Sequence, residues 1–141
     1  MSTDQATRTS STLTDLGTRV VGAGLALGVA YVHVVDQGGF PGEKDPRYIG
    51  IGYYLLEIGA VVVAVLLLAG PARRRVQAWT LSLGVALGPI AGFVLTRGPG
   101  LPNAMDDRGN WTETLGVVSL VVEGALLLVA GAALARSRRT A

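Results

Sequence analysis

Two glutamates, Glu57 and Glu123, are each the only charged residue in a long apolar run. If the runs are membrane helices, each glutamate lies about nine to twelve positions from the outward end, roughly 13–18 Å deep at 1.5 Å per residue. A charged carboxylate at that depth costs at least about 2.5 kcal/mol, so it is expected to face a bundle interior, a partner or water. Tyr53 and Tyr54 lie one turn from Glu57, and Ser119 lies one turn from Glu123. That spacing puts hydroxyl donors on the same helical faces as the carboxyls. The chemistry implied is binding of a proton or a cation, and the simplest form is one proton or cation shared between the two glutamates.

A second group of polar residues lies toward the outer ends of the runs. His33 is the only histidine, and Asp36 follows it at one turn. One histidine, without cysteine and without a second histidine at helical spacing, predicts no metal site. Two long connections, 36–48 and 97–113, are shaped by Gly and Pro and hold Asp45, Arg47, Arg97, Asp106 and Arg108. Loops with this turn chemistry are ordered and often functional. The repeated Asp-x-Arg, Asp45/Arg47 and Asp106/Arg108, predicts crossing salt bridges in a cap over the outer end. There is no phosphate-binding glycine loop, nucleophile elbow or His-Glu-x-x-His. No catalytic residue is therefore assigned, and nothing in the sequence identifies a cofactor.

The elements that must carry these residues are legible from composition. Of 141 residues, 50% are hydrophobic and 16% charged, against roughly 25% charged in an ordinary soluble domain. Four apolar runs, near 16–35, 49–69, 79–95 and 115–134, are each long enough to cross a hydrocarbon core of about 30 Å. The first follows a polar Ser/Thr-rich stretch without a clean cleavage site and reads as a retained helix. The expected fold is an all-α integral membrane protein, a bundle of four transmembrane helices forming one membrane domain over 1–141. Within it, 1–15 reads as a flexible tail and 135–141 as a basic tail.

Orientation follows from the cations. Arg8, Arg19, Arg73, Arg74, Arg75, Arg136, Arg138 and Arg139, eight of the twelve, fall on the side shared by the two ends and the short central turn. The positive-inside rule puts that side, and both termini, in the cytoplasm. Eleven of the twelve cations are arginine, and the Ala/Val/Gly bias points the same way, to a bacterial cytoplasmic membrane. The arginine clusters are topology signals, so nucleic acid is not an expected partner. The lipid bilayer is, and a second copy or a larger membrane complex is open.

The chain also resembles itself. Leu25-Ala26-Leu27-Gly28 aligns with Val85-Ala86-Leu87-Gly88 at an offset of 60, and Asp45 and Arg47 align with Asp106 and Arg108 at 61. This predicts two parallel helical-hairpin repeats, 16–70 and 76–134, related by a twofold along the membrane normal. Gly24, Gly28, Gly84, Gly88 and Gly92 recur at four-residue spacing and are expected to be helix-packing positions.

Two functions stand open on these readings. One is a small membrane protein binding a cation or small molecule at Glu57 and Glu123, in the manner of proton-coupled transport. The other is an accessory or sensor subunit that docks an extracytoplasmic partner through its outer loops. A membrane enzyme using the glutamates as acid and base is a less favoured third.

Overall fold

The computed structural model describes residues 3–139 and contains four α-helices: α1 (Thr3–Asp36), α2 (Arg47–Ala69), α3 (Arg75–Arg97) and α4 (Thr114–Arg139). No strand occurs among the described residues; only an isolated bridge joins Leu101 and Ala104. Each helix is long and apolar enough to cross a membrane. The chain thus fits a multi-pass membrane protein.

The burial pattern explains how such helices associate. The core is largely alanine and valine, with Ala23, Ala26, Ala60, Ala64, Ala86 and Ala130 among its members. Small side chains let backbones approach closely where lipid offers no competing hydrophobic gain. Large apolar side chains point outward instead; Leu55 is 67% and Leu128 75% exposed. α1 packs on α2 and α4, α3 packs on the same two, and α1 and α3 face each other across the diagonal. Any up-down-up-down bundle has this neighbour pattern, so it is compatible with two repeats without requiring them.

The end that carries both termini, here the inner end, and the end that carries the two long loops, here the outer end, are built differently. At the inner end Gly70-Pro71 stops α2, and a 3-10 turn over Ala72–Arg74 leads straight into α3. Arg19 donates to the carbonyls of Leu67 (2.6 Å) and Leu68 (3.0 Å), two of the acceptors that α2 leaves unpaired at its C-terminus. Asp15 bonds Arg75 at 2.5 Å. α1 begins at Thr3, and Asp15, in its fourth turn, ties it to α3. Likewise α4 runs on through Arg139 into the basic tail. Met1, Ser2, Thr140 and Ala141 lie outside the described residues.

At the outer end α1 stops at Gly38, whose φ of +88° is the left-handed conformation that glycine adopts freely. Gly38 N–H bonds Val35 and Gly39 N–H bonds Val34, which closes the helix as a Schellman motif. Tyr54 then clamps the first outer loop by accepting from Gly42 N–H and donating to its carbonyl. Glu113 caps α4 by accepting from the amides of Leu115 (2.8 Å) and Gly116 (2.6 Å).

The expected Gly-x-x-x-Gly packing is only partly present. A Cβ on Gly28 would touch Val122, but one on Gly24, Gly84, Gly88 or Gly92 would meet nothing within 4 Å. The close approaches are instead at Gly22, under the Trp79 ring, and Gly116, under Phe93. Each of these admits a large aromatic from α3, which a count of glycine spacings along one helix cannot detect.

Candidate functional site

A cavity of about 530 Å³ occupies the outer half of the bundle. All four helices and both outer loops line it. Between α2 and α3 its wall is thinned by Gly52 and Gly88, where the absence of side chains leaves a slot.

Glu123 marks its deepest reach on α4. Nine residues separate it from Thr114 (123 − 114), about 14 Å along the axis. Glu123 is 1% exposed. Its Oε1 accepts from the Ser119 hydroxyl and faces His33 Nε2 at 4.0 Å, while its Oε2 has no hydrogen-bond partner. The other His33 nitrogen, Nδ1, lies 2.9 Å from the Val29 carbonyl. A carbonyl only accepts, so Nδ1 carries a hydrogen and Nε2 is the nitrogen free to gain or lose a proton toward Glu123. Histidine and carboxyl together thus form a buried pair able to hold one labile proton.

Above this pair the polar residues are coupled to one another. Tyr53 packs edge-on to the His33 ring at 4.8 Å between centroids and donates to Asp36 at 2.5 Å. Asp36 in turn pairs with Lys44 at 2.9 Å. Across the cavity Arg97 stacks over Phe93 at 4.5 Å and reaches Asp107 (3.5 Å) and Glu113 (3.6 Å). Tyr48 donates to the Pro102 carbonyl and so joins the two loops at the outer end. These interactions fix the walls of the cavity and leave the carboxyl at its floor without a cation.

The residues expected from the sequence separate into two groups. Glu123, Ser119, Tyr53, His33, Asp36, Asp45, Arg97 and Asp106 all line the cavity. Glu57, Tyr54, Arg47 and Arg108 do not. Glu57 is 5% exposed and lies beside Gln37 under the first outer loop, with neither carboxyl oxygen hydrogen-bonded. The two glutamates, though both buried, do not meet in one cavity. The predicted salt bridges Asp45–Arg47 and Asp106–Arg108 are also absent; the loop ion pairs are Lys44–Asp36 and those of Arg97. The aspartates line the cavity while the arginines two residues on do not.

Sequence reasoning missed Lys44, Asp107, Glu113 and Phe93. Lys44 had a signal, as the only lysine. Glu113 had another, an acid immediately before an apolar run where a helix cap belongs. No group of three or more metal-ligating side chains occurs among the described residues. No family model, curated protein or solved structure matches this chain.

Proposed function

We propose that this is a multi-pass protein of a bacterial cytoplasmic membrane, with both termini in the cytoplasm, that binds a small organic cation in the outer cavity and exchanges it for a proton. The single observation behind this reading is Glu123: a carboxyl 1% exposed, with an unpartnered oxygen, at the floor of a cavity of about 530 Å³. A buried charge is tolerated when it is paired, and an ammonium group would supply the missing partner. His33 faces the same carboxyl, so an arriving cation displaces the proton that the pair holds. That displacement is the coupling an exchanger needs. The shared pair is therefore Glu123 with His33 rather than Glu123 with Glu57. Duplication of a helical hairpin accounts for Asp45 and Asp106 both lining the cavity from the two outer loops.

The test is calorimetric titration of the purified protein with aminooctanol, a monocation with an apolar body. Binding is expected near neutral pH and should weaken as pH falls, because protons compete for Glu123 and His33. The rival reading, a subunit that docks a partner through its loops, draws on the exposed rings of Phe40 and Trp111. It predicts no amine binding at any pH, and that result would displace the present proposal. Orientation is tested separately. Cysteines replacing Glu43 and Arg108 should react with an impermeant thiol reagent in intact cells, while one replacing Ala72 should not. The opposite labelling would invert the topology.

A further inference from the structure

The outer cavity has more to say about its ligand than the sign of one charge, provided the cation-binding reading holds. Six carboxylates line it, Asp36, Asp45, Asp106, Asp107, Glu113 and Glu123, against two fixed cations, Lys44 and Arg97. Both cations are already occupied: Lys44 by Asp36, and Arg97 by Asp107 and Glu113. Three carboxyls remain without a fixed cationic partner. Glu123 is at the floor, and Asp45 and Asp106 are at the rim, one from each loop. The arginines two residues from these aspartates lie outside the lining and form no ion pair with them.

Carboxyls without a fixed cationic partner are thus left at two places, and apolar side chains line part of the wall as well. Leu56, Pro89 and Phe93 are among them, with the Tyr53 ring. The glycines at 52, 88 and 92 add width without polarity. Glu123 sits about 14 Å below the start of α4, while Asp45 and Asp106 lie in the loops beyond the helix ends, so inner and outer charges are separated by roughly the depth of the cavity. An extended methylene chain advances about 1.3 Å per bond, given C–C bonds of ~1.52 Å. Eight carbons hold two nitrogens about 12 Å apart over nine bonds, and a hydrogen bond at the inner end extends that reach to the depth of the cavity.

We propose that the outer cavity selects a linear dication, an α,ω-diamine or a polyamine, whose inner ammonium meets Glu123 and whose outer ammonium meets Asp45 and Asp106. The aromatic wall accepts the methylenes and offers ring faces to any ammonium passing over it. The two rim aspartates select for the second charge, and Glu123 provides the anchor that any amine uses.

The experiment compares octanediamine with aminooctanol, which has the same length and one charge fewer, by calorimetric titration at low ionic strength. The screening length there is about 30 Å. The diamine is expected to bind about tenfold more tightly, equivalent to about 1.4 kcal/mol. In the double variant Asp45→Asn/Asp106→Asn that preference should vanish, so that the variant binds the two ligands with equal affinity. Both aspartates are exposed and make no ion pair among the described residues, so an unchanged melting temperature serves as the control for folding. Equal affinity of the wild-type protein for the two ligands would overturn the dication proposal and leave the single-cation site standing. A diamine preference that survives the double variant would also overturn it. Binding of neither ligand would remove the cation site itself, and the proposal with it.

Discussion

Glu123→Gln is expected to lower the affinity for aminooctanol by about a hundredfold or more. Removing one partner of a buried charge pair typically costs about 3–5 kcal/mol, and each 1.4 kcal/mol is about tenfold in affinity. Glutamine keeps the length of the side chain and still accepts from Ser119, so the contacts that hold α4 in place persist. The variant also removes a buried carboxyl oxygen that has no partner in the unliganded protein. Its melting temperature should therefore equal or exceed that of the parent. Glu57→Gln is the matched comparison. Glu57 is as isolated in its helix as Glu123 but lies outside the cavity, and its replacement should leave amine affinity unchanged. Equal losses in the two variants would restore the reading in which the glutamates act together.

Two glycine substitutions should separate stability from binding. A Cβ at Gly22 would lie 2.6 Å from two atoms of the Trp79 ring and 3.2 Å from Leu67, all within the packed core. Trp79 cannot yield without disturbing its neighbours, so Gly22→Ala should destabilise the protein by about 1–3 kcal/mol through overpacking. Thermal unfolding in detergent should show this as a lower melting temperature. Gly88 is also a mid-helix glycine, but a Cβ there meets nothing within 4 Å, and the residue is among those lining the cavity. Gly88→Leu gains up to about 1 kcal/mol of helix propensity while adding a bulky side chain at a residue that lines the cavity. Its melting temperature should hold or rise while aminooctanol affinity falls at least tenfold by roughly the same arithmetic. If Gly22→Ala melts like the parent, the α1–α3 approach is looser than the Trp79 geometry implies. If Gly88→Leu binds normally, the cavity is not where the amine sits.

The sequence made the fold readable because a membrane helix has to announce itself. Backbone polar groups must be satisfied within the segment, which forces long apolar runs, and all four were visible. Glu57 and Glu123 stood out for the same reason, since isolated acids in such runs are conspicuous. What the runs could not convey was rotation about each helix axis. Glu57 turns toward Gln37 and the first loop while Glu123 turns into the cavity, and an all-round apolar helix leaves no polar stripe from which to read that difference. His33 appeared in the sequence as an interfacial residue. Its closeness to Glu123 depends on the packing of α1 against α4, a contact with no local signature. The loops misled in a different way. Asp-x-Arg suggested self-contained pairs, yet Arg97 and Lys44, which have no cationic counterpart in the other half, hold carboxylates of the outer end. Gly24, Gly84, Gly88 and Gly92 had the spacing of close-packed glycines, but spacing cannot distinguish a position beneath a neighbouring helix from one beside a cavity.

The central claim is that Glu123, with His33, holds a proton that a cation displaces at the floor of the outer cavity. Infrared difference spectroscopy of the purified protein, with and without aminooctanol, tests this directly, because a protonated carboxyl has its own carbonyl stretch. The account predicts that adding the amine removes one carboxylic-acid band and produces a carboxylate band, and that Glu123→Gln abolishes the change while Glu57→Gln preserves it. An unchanged spectrum in the wild-type protein at a saturating amine concentration, or the same change persisting in Glu123→Gln, would contradict it.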